Sequence, residues 1–146
     1  MAPFTIELSP APRTNDVQLL EQGLTGHAFA QAGVAPPEPL ALFLRDDAGR
    51  VVGGLSGRFW DGVLDISTLW VHEDFRGEGY GRRLIEAAET EGIKRHCEVA
   101  HLRTFDYQAP GFYLRVGYEE YHVEPDWPRG HTRHYFRKRL TPPSGA

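Results

Sequence analysis

Arg76-Gly77-Glu78-Gly79-Tyr80-Gly81 lies between a strand-like run, Val63 to Val71, and an amphipathic helical stretch from Gly81 to about Arg95. Glycines at such a junction let the backbone turn tightly with its N–H groups pointing one way. The helix after the turn adds its unpaired first-turn N–H groups and the positive end of its dipole. The combination is an anion cradle, and the side chains of Arg76, Arg82 and Arg83 bring formal positive charge to the same mouth. A ligand carrying a pyrophosphate is its natural occupant. The turn is neither of the two best-known nucleotide loops. It lacks the Lys-Ser/Thr ending of a P-loop, and it comes after the fourth strand of the predicted order, whereas a dinucleotide fold would place it after the first.

Working outward, Phe4 to Leu8 alternates like a first strand, and Asn15 to Gln31 reads as a helix with Val17, Leu20, Leu24 and Ala28 on one stripe, capped by Thr14 or Asn15. Ala35-Pro36-Pro37-Glu38-Pro39 is a stiff connection. Leu40 to Arg45 and Arg50 to Phe59 are strands joined by the hairpin signal Asp46-Asp47-Ala48-Gly49, and Trp60-Asp61-Gly62 turns into Val63 to Val71. Beyond the Gly-rich turn and its helix come a strand (Glu98 to Phe105), a short helix (Pro110 to Val116), and two more strands (Tyr118 to Val123, His131 to Arg139). Pro110 suits a first helical turn and Gly117 a helix end. The order is α+β: strand, helix, antiparallel meander, then crossovers. It implies a mixed, mostly antiparallel sheet of about seven strands flanked by helices, as one domain over residues 1–140, with 141–146 a disordered tail.

Composition narrows the function classes. The 146 residues suffice for a core without disulfides, and 40% hydrophobic with 25% charged residues is a globular balance. A net charge of −4 argues against nucleic-acid binding by bulk electrostatics. The basic run Arg133 to Arg139 alternates with His134, Tyr135 and Phe136 and reads as a half-buried strand. Cys97, the single cysteine, excludes an internal disulfide and reads as a small buried hydrophobe. The seven histidines show no metal-ligand spacing, so no metal is expected. No membrane-spanning stretch or signal pattern is evident, and a cytoplasmic setting is expected.

A second motif, Ala109-x-x-Phe112-Tyr113-x-x-x-Gly117-Tyr118, joins the first. Together, Arg76-x-x-Gly79-x-Gly81 after a strand and this downstream segment resemble the GNAT superfamily of acetyl-coenzyme A-dependent N-acetyltransferases. The resemblance runs from about Leu40 to Leu140. It implies acetyl-coenzyme A as acetyl donor, with Arg76, Gly77, Glu78, Gly79, Tyr80, Gly81, Arg82 and Arg83 holding its pyrophosphate. It also implies that the backbone of Leu69, Trp70 and Val71 pairs with the pantetheine arm, and that the sheet splays between the fourth and fifth strands to make room for the thioester. Asp106 falls where many members carry a cofactor-touching Asn, beside Ala109, and both are counted as cofactor contacts. Tyr113 falls where the family commonly has a tyrosine near the thioester sulfur, and Asp65 where several members keep an acidic base. Relatives often dimerise through the region of Glu119 to Arg139, so a homodimer is expected, with Trp127 near the amine site.

These residue types suit the chemistry. An alkyl amine, with a pKa near ~10.4, must be neutral to attack, and a carboxylate such as Asp65, or a water it holds, would accept the proton. The departing thiol ionises at about 8.5, so a phenol of pKa ~10 such as Tyr113 would protonate it. Strict alternation along Val63 to Val71 puts Asp65, Ser67, Leu69 and Val71 on one face. Tyr113 reads otherwise as a core aromatic, and Asp65 as an exposed strand-end residue. Trp60, Trp127, His131 and His134 either line an amine pocket or serve as packing aromatics and surface histidines. The expected activity is direct acetyl transfer to a primary amine of a small molecule or peptide. The alternatives are a coenzyme A-sensing module, or transfer of another acyl group or to an oxygen.

Overall fold

The Asp46–Gly49 turn shows how local chemistry sets the first hairpin. The Asp46 carboxylate accepts from the N–H groups of Ala48 and Arg50, each at 2.9 Å, and from Arg50 Nε at 2.8 Å, while Gly49 takes φ 79°. This turn joins β1 (Glu38–Arg45) to β2 (Val51–Trp60). A second turn, with Asp61 and Gly62 both at positive φ, leads into β3 (Val63–Val71). The computed structural model describes residues 3–140, and the expected tail at 141–146 lies outside them. The chain divides into two compact units, one ending at Pro36 and the other beginning at Pro37.

The first unit contains α1 (Thr14–Ala32). Its N-cap is Arg13, with no side-chain cap, in place of the expected Thr14 or Asn15. It ends at Gly33, whose left-handed φ of 70° lets its N–H reach Phe29 O at 2.8 Å. The expected strand at Phe4 to Leu8 is not formed. Pro3, Pro10 and Pro12 bracket that run and supply no N–H, which leaves little ladder for a strand to build.

The second unit holds a sheet of six strands in the order β1-β2-β3-β4-β6-β5. After β3 come α2 (Tyr80–Lys94), β4 (Val99–Phe105), α3 (Gly111–Arg115), β5 (Glu119–Pro125) and β6 (Thr132–Arg139). With no strand at residues 4–8, the predicted fourth and fifth strands are β3 and β4. Every neighbouring pair is antiparallel except β3 and β4, which α2 connects as a parallel crossover. Leu84, Ile85, Ala88, Glu89 and Gly92 form the buried stripe of α2 at helical spacing. They close a core with Leu64, Ile66, Ala100, Leu102 and Phe136 on one face of the sheet.

Two irregularities of β3 separate the faces of the sheet and open a gap in it. β3 pairs with β4 only from Val63↔Val99 to Ile66↔Leu102, although β3 runs on to Val71 and β4 to Phe105. On its other side, Ser56 opposes Thr68 and Gly57 opposes Ile66, so Ser67 is an extra residue: a β-bulge. A Cβ on Gly57 would lie 2.3 Å from Asp65 O, so only glycine fits opposite the bulge. The bulge corrects the simple alternation. Leu69 and Val71 pack against the same core as Leu64 and Ile66, while Asp65 and Ser67 stay on the opposite face.

One buried polar cluster ties the layers together. Glu89 on α2 accepts from Tyr118 OH at 2.8 Å and from Lys138 Nζ on β6 at 2.9 Å, and Lys138 also donates to Val116 O at 3.1 Å. Burial pushes the Tyr118 hydroxyl far up, and the Glu89 charge adds to the shift. Removing the carboxylate strands a largely buried ammonium and a hydroxyl. Glu89→Ala should therefore lower unfolding free energy by about 3 kcal/mol in urea titration, with Glu89→Gln retaining part of it because its amide oxygen still accepts. An Ala variant as stable as the parent would make the cluster energetically idle.

Candidate active site

Gly77 and Gly79 adopt φ of 79° and 86°, a region that costs most other residues strain, and nothing lies within 4 Å of a side chain added at either. Gly79 is the N-cap of α2 and no side chain caps the helix, so its first-turn N–H groups open outward. Gly81 is constrained differently: a Cβ there would meet Phe112 Cζ at 3.2 Å, so its smallness seats α2 against α3. Arg76 Nε donates to Val71 O at 2.8 Å, locking the turn onto the end of β3. Arg82 Nη2 reaches Arg115 O at 3.3 Å across to α3.

A cleft of about 570 Å³ opens at this turn. Of the residues singled out by sequence, Leu69, Trp70, Val71, Arg76, Gly77, Gly79, Tyr80, Gly81, Arg82, Ala109 and Tyr113 line it. Glu78, Arg83 and Asp106 do not. Arg83 instead lies over the Tyr80 ring at 5.5 Å. Asp106 accepts from Thr132 N at 3.1 Å and bonds His131 Nδ1 at 3.0 Å, which anchors the start of β6. Phe75, Gln108, Phe112, Arg115 and Val116 also line the cleft and were missed by sequence reasoning, though four of them sit inside or beside the second motif.

Tyr113 is 9% exposed, and burial raises its hydroxyl above the usual phenol range. Its ring packs near Phe136 and Tyr118. The hydroxyl has no hydrogen-bond partner among the described residues, yet it is not a fully enclosed unpaired atom. The residue itself lines the larger cleft. A phenol held protonated at neutral pH beside a cleft is chemically able to act as a proton donor.

The other sheet face carries a second, smaller cleft of about 220 Å³, where β3 and β4 have parted. Asp65, Ser67, Arg103, Gln108 and Arg133 line it, and Gln108 borders both clefts. Asp65 bonds His101 Nδ1 at 3.3 Å and Arg58 Nε at 3.4 Å, and His101 Nε2 in turn meets Tyr121 OH. The His101 hydrogen bond holds the Asp65 carboxyl below the usual carboxylate range against its partial burial, and the His101, Arg58 and Arg103 charges reinforce the lowering. Sequence reasoning missed His101, Tyr121 and Arg103. Alternation along Glu98 to Phe105 puts the first and last on one face, but Tyr121 arrives through a bulge between Glu120 and His122. Neither Trp60 nor Trp127 lines either cleft; Arg133 stacks over Trp127 at 5.4 Å. Among the described residues no group of three or more His, Cys, Asp or Glu is arranged to hold a metal, and no helix is long and apolar enough to cross a membrane.

Known proteins are similar to this chain in sequence and fold. The model of the acetyltransferase (GNAT) family matches residues 7–118. Blasticidin-S acetyltransferase of Streptomyces morookaense is 40% identical over 106 residues, covering 72% of this chain and 78% of that one. A crystal structure of an acetyltransferase from Bacillus cereus superposes with a TM-score of 0.74 at 29% identity, over 91% of this chain and 97% of the other. An aminoglycoside 6'-N-acetyltransferase complexed with coenzyme A shares the fold at a TM-score of 0.64 and 20% identity, over 72% of this chain and 74% of that one. The chain belongs to the GNAT family and is an acetyl-coenzyme A-dependent acetyltransferase.

Proposed function

We propose that the enzyme transfers the acetyl group directly to a primary amine of a small molecule, with the donor in the larger cleft and the acceptor in the smaller one. The observation that carries this reading is the parting of β3 and β4 between the two clefts, with Gln108 bordering both. Acetyl-coenzyme A supplies an activated acyl group on a thiol leaving group. The turn glycines and first-turn N–H groups of α2 would hold its pyrophosphate, with Arg76 fixing the turn and Arg82 adding charge. Leu69, Trp70 and Val71 present strand backbone that β4 leaves unpaired, matched to the amide groups of an extended arm. Tyr113 would protonate the departing thiolate.

Direct transfer is supported by Cys97, which is 1% exposed, has its thiol pushed up by burial and lines neither cleft. A small-molecule acceptor is supported by the size of the second cleft and by the relative named for acting on blasticidin S. Asp65 is an anchor here. Already ionised and hydrogen-bonded, it is suited to orient the amine or a water, and the neutral amine arises from its own titration near ~10.4, lowered by cationic neighbours.

Gly79→Asp should abolish calorimetric binding of acetyl-coenzyme A, since an acidic side chain at a left-handed position both strains the turn and repels pyrophosphate. Unchanged affinity would remove the cradle assignment.

Tyr113→Phe should cut turnover by about 10²-fold with little change in donor affinity, because the ring remains. Wild-type turnover across the pH range would return Tyr113 to a packing role.

Asp65→Asn should lower the acetylation rate while leaving the shape of the neutral-to-alkaline rate profile intact, since Asp65 ionises in the acid range. The same shift gives the sign for stability. A folded pKa below the unfolded ~3.9 stabilises above that value and ceases to do so as pH falls through the folded pKa. The stability gap between wild type and variant should thus be present at pH ~7 and close below pH ~4. A gap that persists unchanged in acid would mean that the Asp65 charge contributes nothing.

A further inference from the structure

The smaller cleft has a charge pattern opposite to that of the whole chain. The protein carries a net −4, yet the cleft wall presents two guanidinium groups, Arg103 and Arg133, and one carboxylate, Asp65. That carboxylate is already answered by Arg58 and His101. Arg103 makes no hydrogen bond or ion pair among the described residues; it acts on Asp65, Tyr121 and Tyr135 only through its field. Arg133 Cζ lies over the Tyr135 ring at 5.2 Å and the Trp127 ring at 5.4 Å, with a loose 3.9 Å approach of its Nε to Glu124. The Glu124 carboxylate is engaged more closely by the Tyr135 hydroxyl. A cation–π contact holds a guanidinium without using its N–H donors. Two forks of donors therefore face the cleft with their hydrogen-bonding capacity largely open.

We infer that the acceptor is a small zwitterion: besides its amine it carries a carboxylate, which Arg103 and Arg133 bind in the smaller cleft. The inference rests on the proposed amine acetylation and names the class of acceptor within it. A planar carboxylate matches the guanidinium fork, and pairing it offsets the repulsion that two like charges at one wall would otherwise cause. Ser67 and Gln108 supply neutral polar groups on the same wall. Gln108 is itself fixed, its Oε1 accepting from Thr104 OH and Phe105 N, both at 3.2 Å. The same positive wall favours the uncharged form of a nearby amine, which is the form that attacks. A cationic acceptor with no anionic group would leave both guanidinium groups of this wall unanswered.

The test uses primary amines in matched pairs, one member with a free carboxylate and the other with that group as a carboxamide, monitored by thiol release from acetyl-coenzyme A. Wild type should favour the carboxylate members by about tenfold or more in kcat/KM, chiefly through KM, and Arg103→Gln should bring the ratio to about one. Equal rates for both members, or a preference for the carboxamide in wild type, would overturn the inference while leaving amine acetylation in place. A second measurement is independent of turnover: NMR of the arginine Nε–H groups during titration with N-acetyl amino acids and their carboxamides. A saturable shift given by the carboxylates alone, and lost in Arg103→Gln, supports the site even if no amine in the panel is acetylated, in which case the acetylation reading fails by itself. Absence of any carboxylate-dependent shift overturns the inference.

Discussion

The short parallel pairing of β3 with β4 is the constraint on which the molecule turns. Four residue pairs hold the two strands together, and then each goes its own way. Backbone N–H and C=O groups in the middle of a sheet demand partners, and a pair of strands that separates before its end leaves a row of them open. In an edge strand water answers that demand. Here the open row lies along the larger cleft, where the proposed extended donor arm, bearing its own amides, would be complementary. The bulge at Ser67 belongs to the same device. By adding one residue to β3 it keeps Leu69 and Val71 on the core side while freeing Asp65 and Ser67 for the opposite face. Gly57 permits it by bringing β2 against the Asp65 carbonyl without a side chain.

Charge is distributed to match. The turn at the head of α2 combines glycine conformations with a helix start that lacks any acidic residue in its first turn, so the dipole end is not neutralised internally. Arg76 contributes by structure as much as by charge, because its donor is employed on the Val71 carbonyl. On the far side of α2, the Glu89–Lys138–Tyr118 cluster holds helix to sheet by hydrogen bonds. The helix is therefore fixed from beneath while its N-terminus presents unpaired N–H groups above.

Much of this was legible from local sequence, and what was not has a common cause. The span of β3, the turn and the helix after it are set by composition, period and glycine placement, all of which act over a few residues. Phe4 to Leu8 has the right alternation but the wrong neighbours, since prolines on both sides remove donors that a ladder needs. Alternation along β3 fails at Ser67 because the cause sits elsewhere, in a glycine of the neighbouring strand ten residues away. Asp106 lies in a motif that resembles a cofactor contact, yet its carboxylate finds the Thr132 N–H and His131 ring, partners that only the return of β6 provides. The set Asp65, His101 and Tyr121 joins three strands, and Arg103 with Arg133 joins two. No window on one strand contains them. Register across strands decides such constellations, and register is fixed by bulges and turns that leave faint local marks.

The two clefts also hold titratable groups in different environments. Tyr113 is pressed into the core, and burial keeps its proton on where the residue lines the larger cleft. Asp65 sits among cations and hydrogen-bond donors that keep its proton off, so it faces the smaller cleft as a fixed negative charge. Environments that push two titratable groups in opposite directions separate an acid from an anion at one pH. The proposed transfer, from a neutral amine on one side to a protonated thiol on the other, would use that asymmetry. The sheet provides it with one face packed on the core, one face lined by polar side chains and a gap where two strands part.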